Sequence, residues 1–122
     1  QPHQLKLNGL LELANGDMGF VTNMLTIFRT NFTDDLHALT SAAQQSDWSK
    51  VSSVAHKMSP PCGHLGFSEV AGELKTIEKE AAHSPDPKQI LQLVNDLNTK
   101  SSTVITEIDN KISELDPNRE LI

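Results

Sequence analysis

The chain has 122 residues, a formal net charge of −6, and four phenylalanines and one tryptophan as its aromatic residues. Its acidic balance argues against a nucleic-acid partner and against direct binding to an anionic membrane surface, because both need clustered lysine and arginine. The single cysteine, Cys62, excludes an internal disulfide framework and a zinc site built from several thiolates. No apolar run approaches the roughly 20 residues of a membrane helix. We expect one domain over residues 1–122, from a reducing, cytoplasmic compartment.

The first part of the chain predicts a short helix followed by a long one. Leucines at helical spacing begin at Leu7 and stop before Asn15-Gly16, a pair typical of a helix C-terminus. Asp17 is placed to cap a second helix from Met18 to about Ser46, because its side chain can accept a hydrogen bond from the first turn. The predicted buried face of this helix consists of Val21, Leu25, Phe28, Phe32, Leu36, Leu39 and Ala43.

Three further helices follow, and proline marks two of them. Asp47 is predicted to cap the third, which should end by Gly66. Within it, Pro60 and Pro61 lack the N–H groups that would bond the carbonyls four residues earlier, so we expect a kink or early unwinding there. The apolar stripes predict a fourth helix beginning at Phe67 and a fifth that starts at Pro87 and is ended by Pro117. Asp86 is predicted to cap the fifth helix.

Helices of this kind, joined by short loops, predict an all-α fold. Each amphipathic helix must bury its apolar stripe against another helix. The economical arrangement is an up-down four-helix bundle with a short extra helix at its N-terminus.

The segment around His56 is unusual for a sequence that serves packing alone. The histidine lies between Ala55 and Met58, both predicted to face the core, so it should lie at the side of the helix where a partner can reach it. Two prolines and two glycines follow within ten residues. Such residues leave room for another macromolecule to approach the ring.

This segment resembles the histidine-containing phosphotransfer (HPt) domains of bacterial phosphorelays. The family motif has an alanine-histidine pair, an apolar residue two positions later, and a leucine-glycine-apolar ending. Those places hold Ala55, His56, Met58, Leu65, Gly66 and Phe67. The resemblance covers about residues 5–82 and includes Asn15-Gly16-Asp17, Phe28 and Asp47-Trp48. The last helix agrees with the family in length and periodicity only.

The resemblance implies a role and a parent protein. His56 would accept a phosphoryl group from a receiver-domain aspartate, on the ring nitrogen farther from the backbone, and pass it to another receiver domain. The chain would then be a monomeric phosphocarrier without autokinase activity and without a cofactor of its own. The response-regulator receiver would supply Mg²⁺ and a lysine. The domain would be the C-terminal module of a hybrid sensor kinase, which can be anchored in a membrane, or a stand-alone relay protein.

Two residues depart from the family pattern. Ser59 and Pro60 stand where the family usually has lysine and glycine, and that lysine commonly helps to hold the phosphoryl group. A second hypothesis is therefore an adaptor that binds a receiver without transferring a phosphoryl group. A third is an unrelated helical interaction module whose histidine is incidental.

Several neighbours of His56 are candidate phosphate or docking residues, each with a simpler alternative. Lys57 can attract the phosphoryl group or be an ordinary solvated lysine, and His64, two turns on, can share the side of His56 or be a plain surface residue. A metal site from His56, Cys62 and His64 fits no zinc spacing, and Cys62 is more simply a small buried hydrophobe. The candidates are Lys57, Ser59, Pro60, Gly63, His64 and Phe67, the last together with Phe20 and Met24 as docking surface or simply core.

Overall fold

The computed structural model describes residues 5–115 and contains five α-helices. They are α1 (Asn8–Ala14), α2 (Met18–Gln44), α3 (Trp48–His64), α4 (Ser68–Ala82) and α5 (Pro87–Leu115). No strand occurs in this part of the chain, so the all-α prediction is confirmed. The predicted stop at Pro117 lies outside the described residues. Within residues 5–115, no helix combines the length and the apolar character needed to cross a membrane.

The predicted N-terminal caps of three helices are present. Asp17 Oδ1 accepts from the Phe20 N–H at 3.1 Å, and Asp47 Oδ1 accepts from the Lys50 N–H at 3.3 Å. Asp86 Oδ1 accepts from two N–H groups in the first turn of α5. Each carboxylate satisfies a donor that the helix itself leaves without a partner, which contributes about 1 kcal/mol per cap.

The end of α3 explains the leucine-glycine-phenylalanine sequence. The Gly66 N–H donates to the Gly63 carbonyl at 3.1 Å, and the Phe67 N–H donates to the Cys62 carbonyl at 2.9 Å. This pair of bonds is a Schellman motif, which needs a residue with positive φ, and Gly66 has φ +90°. Glycine adopts that conformation without a steric penalty. The chain therefore turns sharply after α3 and directs Phe67 into the core.

The two prolines do not end α3, which remains helical through them to His64. The predicted early unwinding is therefore wrong. Pro60 and Pro61 are both exposed, and the carbonyls that lose a donor belong to His56 and Lys57, which are also exposed. Water can hydrate these carbonyls, while the opposite face of α3 is buried against its neighbours. Tertiary packing thus overrides the local effect of proline.

The four long helices form the predicted up-down bundle. Each of the pairs α2–α3, α3–α4, α4–α5 and α5–α2 packs together, and α1 packs on α2. Arg29 pairs with Asp109, and Asn98 donates to Thr40. The second contact lies eleven residues later than the first along α2 and eleven residues earlier along α5. That register shows that α2 and α5 are antiparallel. The core is aliphatic, and its largest fully buried side chains include Phe67, Leu25, Leu39, Leu74, Ile77, Ile90, Leu97 and Ile108.

We predict that Leu74→Ala lowers the free energy of unfolding by about 2–5 kcal/mol, because it removes a fully buried side chain and leaves a cavity. Leu13→Ala is the matched control, since Leu13 is 75% exposed and should change stability by less than about 0.5 kcal/mol. Urea denaturation followed by circular dichroism measures both variants. Equal losses for the two leucines would contradict this account of the core.

Candidate functional site

His56 lies in the middle of α3 on a rigid support. Its neighbour Ala55 is fully buried and Met58 is nearly so, whereas the His56 side chain is 75% exposed. Because the helix is anchored on its inner face, the imidazole projects from a fixed backbone into solvent. A partner as large as a protein domain can reach it.

Glu78, on α4, holds the imidazole by its inner nitrogen. The distance from His56 Nδ1 to Glu78 Oε2 is 2.8 Å. A carboxylate can only accept a hydrogen bond, so the neutral ring carries its proton on Nδ1 and donates it to Glu78. The other nitrogen, Nε2, has no hydrogen-bond partner within residues 5–115. The arrangement therefore presents an unprotonated Nε2 lone pair, which is the nucleophilic form of the ring.

Glu78 is itself positioned by the contact between α3 and α4. Ser52 Oγ donates to the Glu78 carbonyl at 3.2 Å, one turn before His56. On either side of Glu78, the side chains of Ile77 and Ala81 are buried. The carboxylate is thus fixed from both directions, and 32% of its side chain remains exposed.

Ser59 was predicted as a candidate neighbour of the phosphoryl group, but it does not face the site. It is only 3% exposed, and its hydroxyl donates to the Ala71 carbonyl on α4 at 3.1 Å. Three residues correspond to about 300° of helical rotation, which carries position 59 from the side of α3 into its contact with α4. Neither its position nor its hydroxyl is available to a phosphoryl group.

Lys57 points away from the ring that precedes it. Its Nζ lies 3.1 Å from Asp35 Oδ1 on α2, whereas His56 leans toward α4. One residue turns a helix by about 100°, which separates the two side chains. No lysine or arginine of residues 5–115 forms a hydrogen bond or ion pair with His56 or Glu78.

Pro60 and Gly63 are exposed on α3 beyond His56. Pro60 follows the histidine by one helical turn and presents a compact ring there. At Gly63 an added Cβ would lie 3.8 Å from the Ala71 Cβ, which is ordinary contact. The packing of α3 on α4 therefore does not itself require glycine at this position.

His64 and Phe67 do not join His56. His64 lies in a groove with Leu10, Leu13 and other residues of α1 and α2, so the expectation that it shares the side of His56 is wrong. Phe67 is fully buried and stacks on Phe28 with ring centroids 6.3 Å apart, which makes it core and not docking surface. The Schellman turn directs Phe67 into the core, and the eight residues between His56 and His64 rotate the second histidine by about 80° around α3.

An apolar groove runs between α2 and α3 beside the site. Lys57 and Asp35 lie in its lining, so it borders the residue that follows His56. Ile27, which is 45% exposed, contributes an unburied aliphatic side chain to it. Its other lining residues include Met24, Phe28, Phe32, Met58 and Pro61. The groove thus lies on the α2 side of α3, whereas His56 faces the groove on the α4 side.

The sequence analysis did not single out Glu78 and missed its contact with the histidine. The short turn between α3 and α4 could have indicated this contact. When only three residues join two antiparallel helices, residues at about equal distances before and after the turn lie opposite each other. Ser52 with Glu78 and Ser59 with Ala71 obey that register. Counting outward from the turn places Glu78 opposite Ser52, one helical turn before His56, and its long side chain spans that turn to reach the ring.

The residues considered for a metal site are not brought together. Cys62 is buried, whereas His56 and His64 are exposed on different grooves. The described part of the chain holds no group of three or more histidine, cysteine, aspartate or glutamate side chains that could bind a metal ion. Burial raises the pKa of the Cys62 thiol to about 12, so the thiol is neutral and a poor ligand.

Comparison with protein families identifies a family to which the chain is similar. A family model described as Hpt domain matches residues 23–116, about three quarters of the chain. The matched region contains α3, α4 and the His56–Glu78 pair. Comparisons with curated proteins and with solved structures found no significant match.

We predict that Cys62 reacts with a thiol reagent such as Ellman's reagent only after the fold opens. Its folded pKa of about 12 lies above the usual 9.0, so stability falls as pH rises from about 9, where the unfolded thiol ionises first. Absorbance at neutral pH, with and without urea, measures the reaction. Ser53→Cys, which adds a thiol at an exposed position, is the control and should react at once. Rapid reaction of Cys62 in the native protein would contradict its burial.

Proposed function

The chain belongs to the Hpt domain family, and from that premise we propose that it is a phosphorelay intermediate with His56 as phosphoacceptor. Domains of this family carry phosphoryl groups in two-component phosphorelays. The group comes from the aspartyl phosphate of one receiver domain and passes to the aspartate of another. The observation that supports this role is the exposed His56 ring, whose Nδ1 bonds to Glu78 and whose Nε2 has no partner among residues 5–115.

The transfer needs little chemistry from the chain. The Nε2 lone pair attacks the phosphorus of the aspartyl phosphate in line, a P–N bond forms, and the P–O bond to the aspartate breaks. The bonding electrons leave with the aspartate, which becomes a free carboxylate. The Nδ1 proton stays on the ring. Catalysis of such a step depends mainly on positioning and on neutralising the charge of the phosphoryl oxygens.

The receiver contributes what this chain does not hold at His56. No lysine or arginine of the described residues pairs with the histidine, so the receiver's Mg²⁺ and lysine neutralise the phosphoryl oxygens. The sequence has no glycine-rich phosphate loop, and the domain therefore carries a phosphoryl group without taking it from ATP.

The receiver docks over the apolar groove between α2 and α3. This groove borders Lys57, so a domain whose aspartate reaches His56 also covers Ile27 and its neighbours. Burying these side chains supplies affinity that the small polar site lacks. The residues around His56 then need to supply the reactive nitrogen and little of the binding affinity.

We predict that a panel of purified receiver domains, phosphorylated with radiolabelled phosphate, transfers label to this domain. The label should be stable in alkali and labile in acid, as expected of a phosphohistidine, and His56→Gln should abolish it. His64→Gln is the matched control, since it removes an exposed histidine of the same helix and should keep the label. Label that persists on His56→Gln would contradict the assignment. Receiver binding without label would favour the adaptor hypothesis.

We further predict that Ile27→Glu weakens receiver binding about tenfold or more, because it places a charge in the apolar groove. Leu91→Glu is the control, because Leu91 on α5 is similarly exposed, at 41% against 45% for Ile27, and lies outside the groove. Titration calorimetry with a receiver that transfers label measures both variants. Equal affinity for the two would place the docking surface elsewhere.

A further inference from the structure

We propose that Lys75, on α4, pairs with the phosphoryl group on His56 after the donor receiver has left. This inference rests on the proposed function and names a further residue for it. During transfer the receiver supplies positive charge, but the free phosphorylated domain carries a nearly doubly negative group by itself. The register between α3 and α4 brings Lys75 to the level of the histidine.

The level of Lys75 along α3 follows from two hydrogen bonds. Ser52 and Ser59 of α3 donate to carbonyls of α4 that are also seven residues apart, in the opposite chain direction. This antiparallel register places Lys75 opposite Ala55, the residue that precedes His56. The lysine and the phosphoacceptor therefore start from neighbouring points on the two helices.

Lys75 also lies on the face of α4 that contacts α3. It comes four residues after Ala71, whose carbonyl accepts from α3, and three residues before Glu78, whose carboxylate bonds to His56. At 100° per residue, position 75 lies within about 60° of both. Because Lys75 is exposed, it lies at the solvent edge of this face. Packed helix axes are about 8–10 Å apart, a gap that an imidazole and a flexible four-carbon stem close from the two sides.

The ammonium group of Lys75 is available to a ligand. Within residues 5–115 it forms no hydrogen bond or ion pair, whereas Lys57 pairs with Asp35 on α2. The groove beside the ring on the α4 side is lined by serines, alanines, His56 and Glu78. These walls offer hydroxyl groups and a carboxylate to a phosphoryl group but no lysine or arginine. Lys75, beyond Glu78 from this groove, is placed to supply the positive charge.

Two other lysines of α3 and α4 are placed less well. Lys79 follows Glu78 directly, and one residue rotates it by about 100°, away from α3 and into solvent. Lys50 precedes His56 by six residues, which is about 9 Å along the helix. Lys79 therefore provides a matched control, since it is an exposed lysine of the same helix that lacks the right direction.

A cation in this position favours the doubly negative form of the phosphoryl group over its singly protonated form. It therefore lowers the pKa of the phosphoryl group, and its removal raises that pKa. The same pairing stabilises the phosphorylated histidine but not the neutral imidazole, which has no charge to offer Lys75. At equilibrium with a receiver, the pairing shifts the phosphoryl group toward His56.

The experiment compares Lys75→Gln, Lys75→Arg and the control Lys79→Gln in a chain whose other four histidines are replaced by glutamine. Phosphoramidate, a small donor, loads His56 without a receiver. Nε2 attacks its phosphorus, a new P–N bond forms, the old one breaks, and ammonia leaves. Phosphorus-31 spectra recorded across neutral pH then give the pKa of the phosphoryl group. Each chain is also equilibrated with a phosphorylated receiver that transfers label to the parent.

We expect Lys75→Gln to raise the pKa of the phosphoryl group by about half a pH unit, because the amide no longer favours the doubly negative form. Its ratio of phosphohistidine to aspartyl phosphate should fall about fivefold. Lys75→Arg should keep both values near those of the parent, since it retains the charge. Lys79→Gln should change both much less. A purely structural role of Lys75 would not raise the pKa of the phosphoryl group.

Two results overturn the inference. One is the same phosphoryl pKa in Lys75→Gln as in Lys79→Gln. The other is a Lys75→Arg variant that titrates like Lys75→Gln, since the positive charge would then not be the cause. Failure of the proposed function looks different. In that case the parent chain takes no label from any phosphorylated receiver, although phosphoramidate still loads His56 and the titrations still separate the two lysine positions.

Discussion

The packing of α3 on α4 is the constraint on which the rest of the site depends. Two serine hydroxyls of α3, at positions 52 and 59, donate to carbonyls of α4 in one register. Between them Ala55, Leu74 and Ile77 are fully buried. A slip of one residue would rotate the imidazole by about 100° relative to α4 and separate it from Glu78. The aliphatic contact therefore fixes the distance between the two functional side chains, and the hydroxyls fix the register.

Helical geometry also divides the charges of the site between two neighbours of α3. His56 leans toward α4 and its carboxylate, and the next residue, Lys57, leans toward Asp35 on α2. Although the two residues are adjacent in sequence, the lysine is not a ligand for a group on the imidazole. An exposed ion pair such as Lys57–Asp35 contributes at most about 1 kcal/mol to stability. Its importance is that it shows which way the Lys57 side chain points. Within the part of the chain that the structure describes, no lysine or arginine pairs with the ring.

The sequence was sufficient for every feature that depends on local signals. The caps at Asp17, Asp47 and Asp86 and the helix end at Asn15-Gly16 follow from the preferences of single turns, and the structure contains all four. The buried faces of the helices follow from apolar residues that recur about every 3.6 positions. The exposure of His56 could be predicted for the same reason, because its neighbours in the stripe determine which side it faces.

The features that were missed depend on how one helix sits against another. The burial of Ser59 and the approach of Glu78 are set by the α3–α4 register, which no single helix specifies. The persistence of α3 through Pro60 has the same origin, because the buried face of the helix holds the backbone where local bonding is lost. Local sequence rules therefore predicted the helices and their caps. The contacts between helices determined which side chains surround His56.

Ser59 affects both the packing of α3 on α4 and the residues available near His56. The position lies at the edge of the α3–α4 contact, where a long charged side chain would have to run out along α4 to reach water. A serine instead closes the contact and bonds to the Ala71 carbonyl, which strengthens the register that holds Glu78 against His56. One residue thus both removes a cation from the site and tightens the support of the carboxylate. The register that this contact supports therefore determines where the carboxylate of Glu78 lies relative to the imidazole.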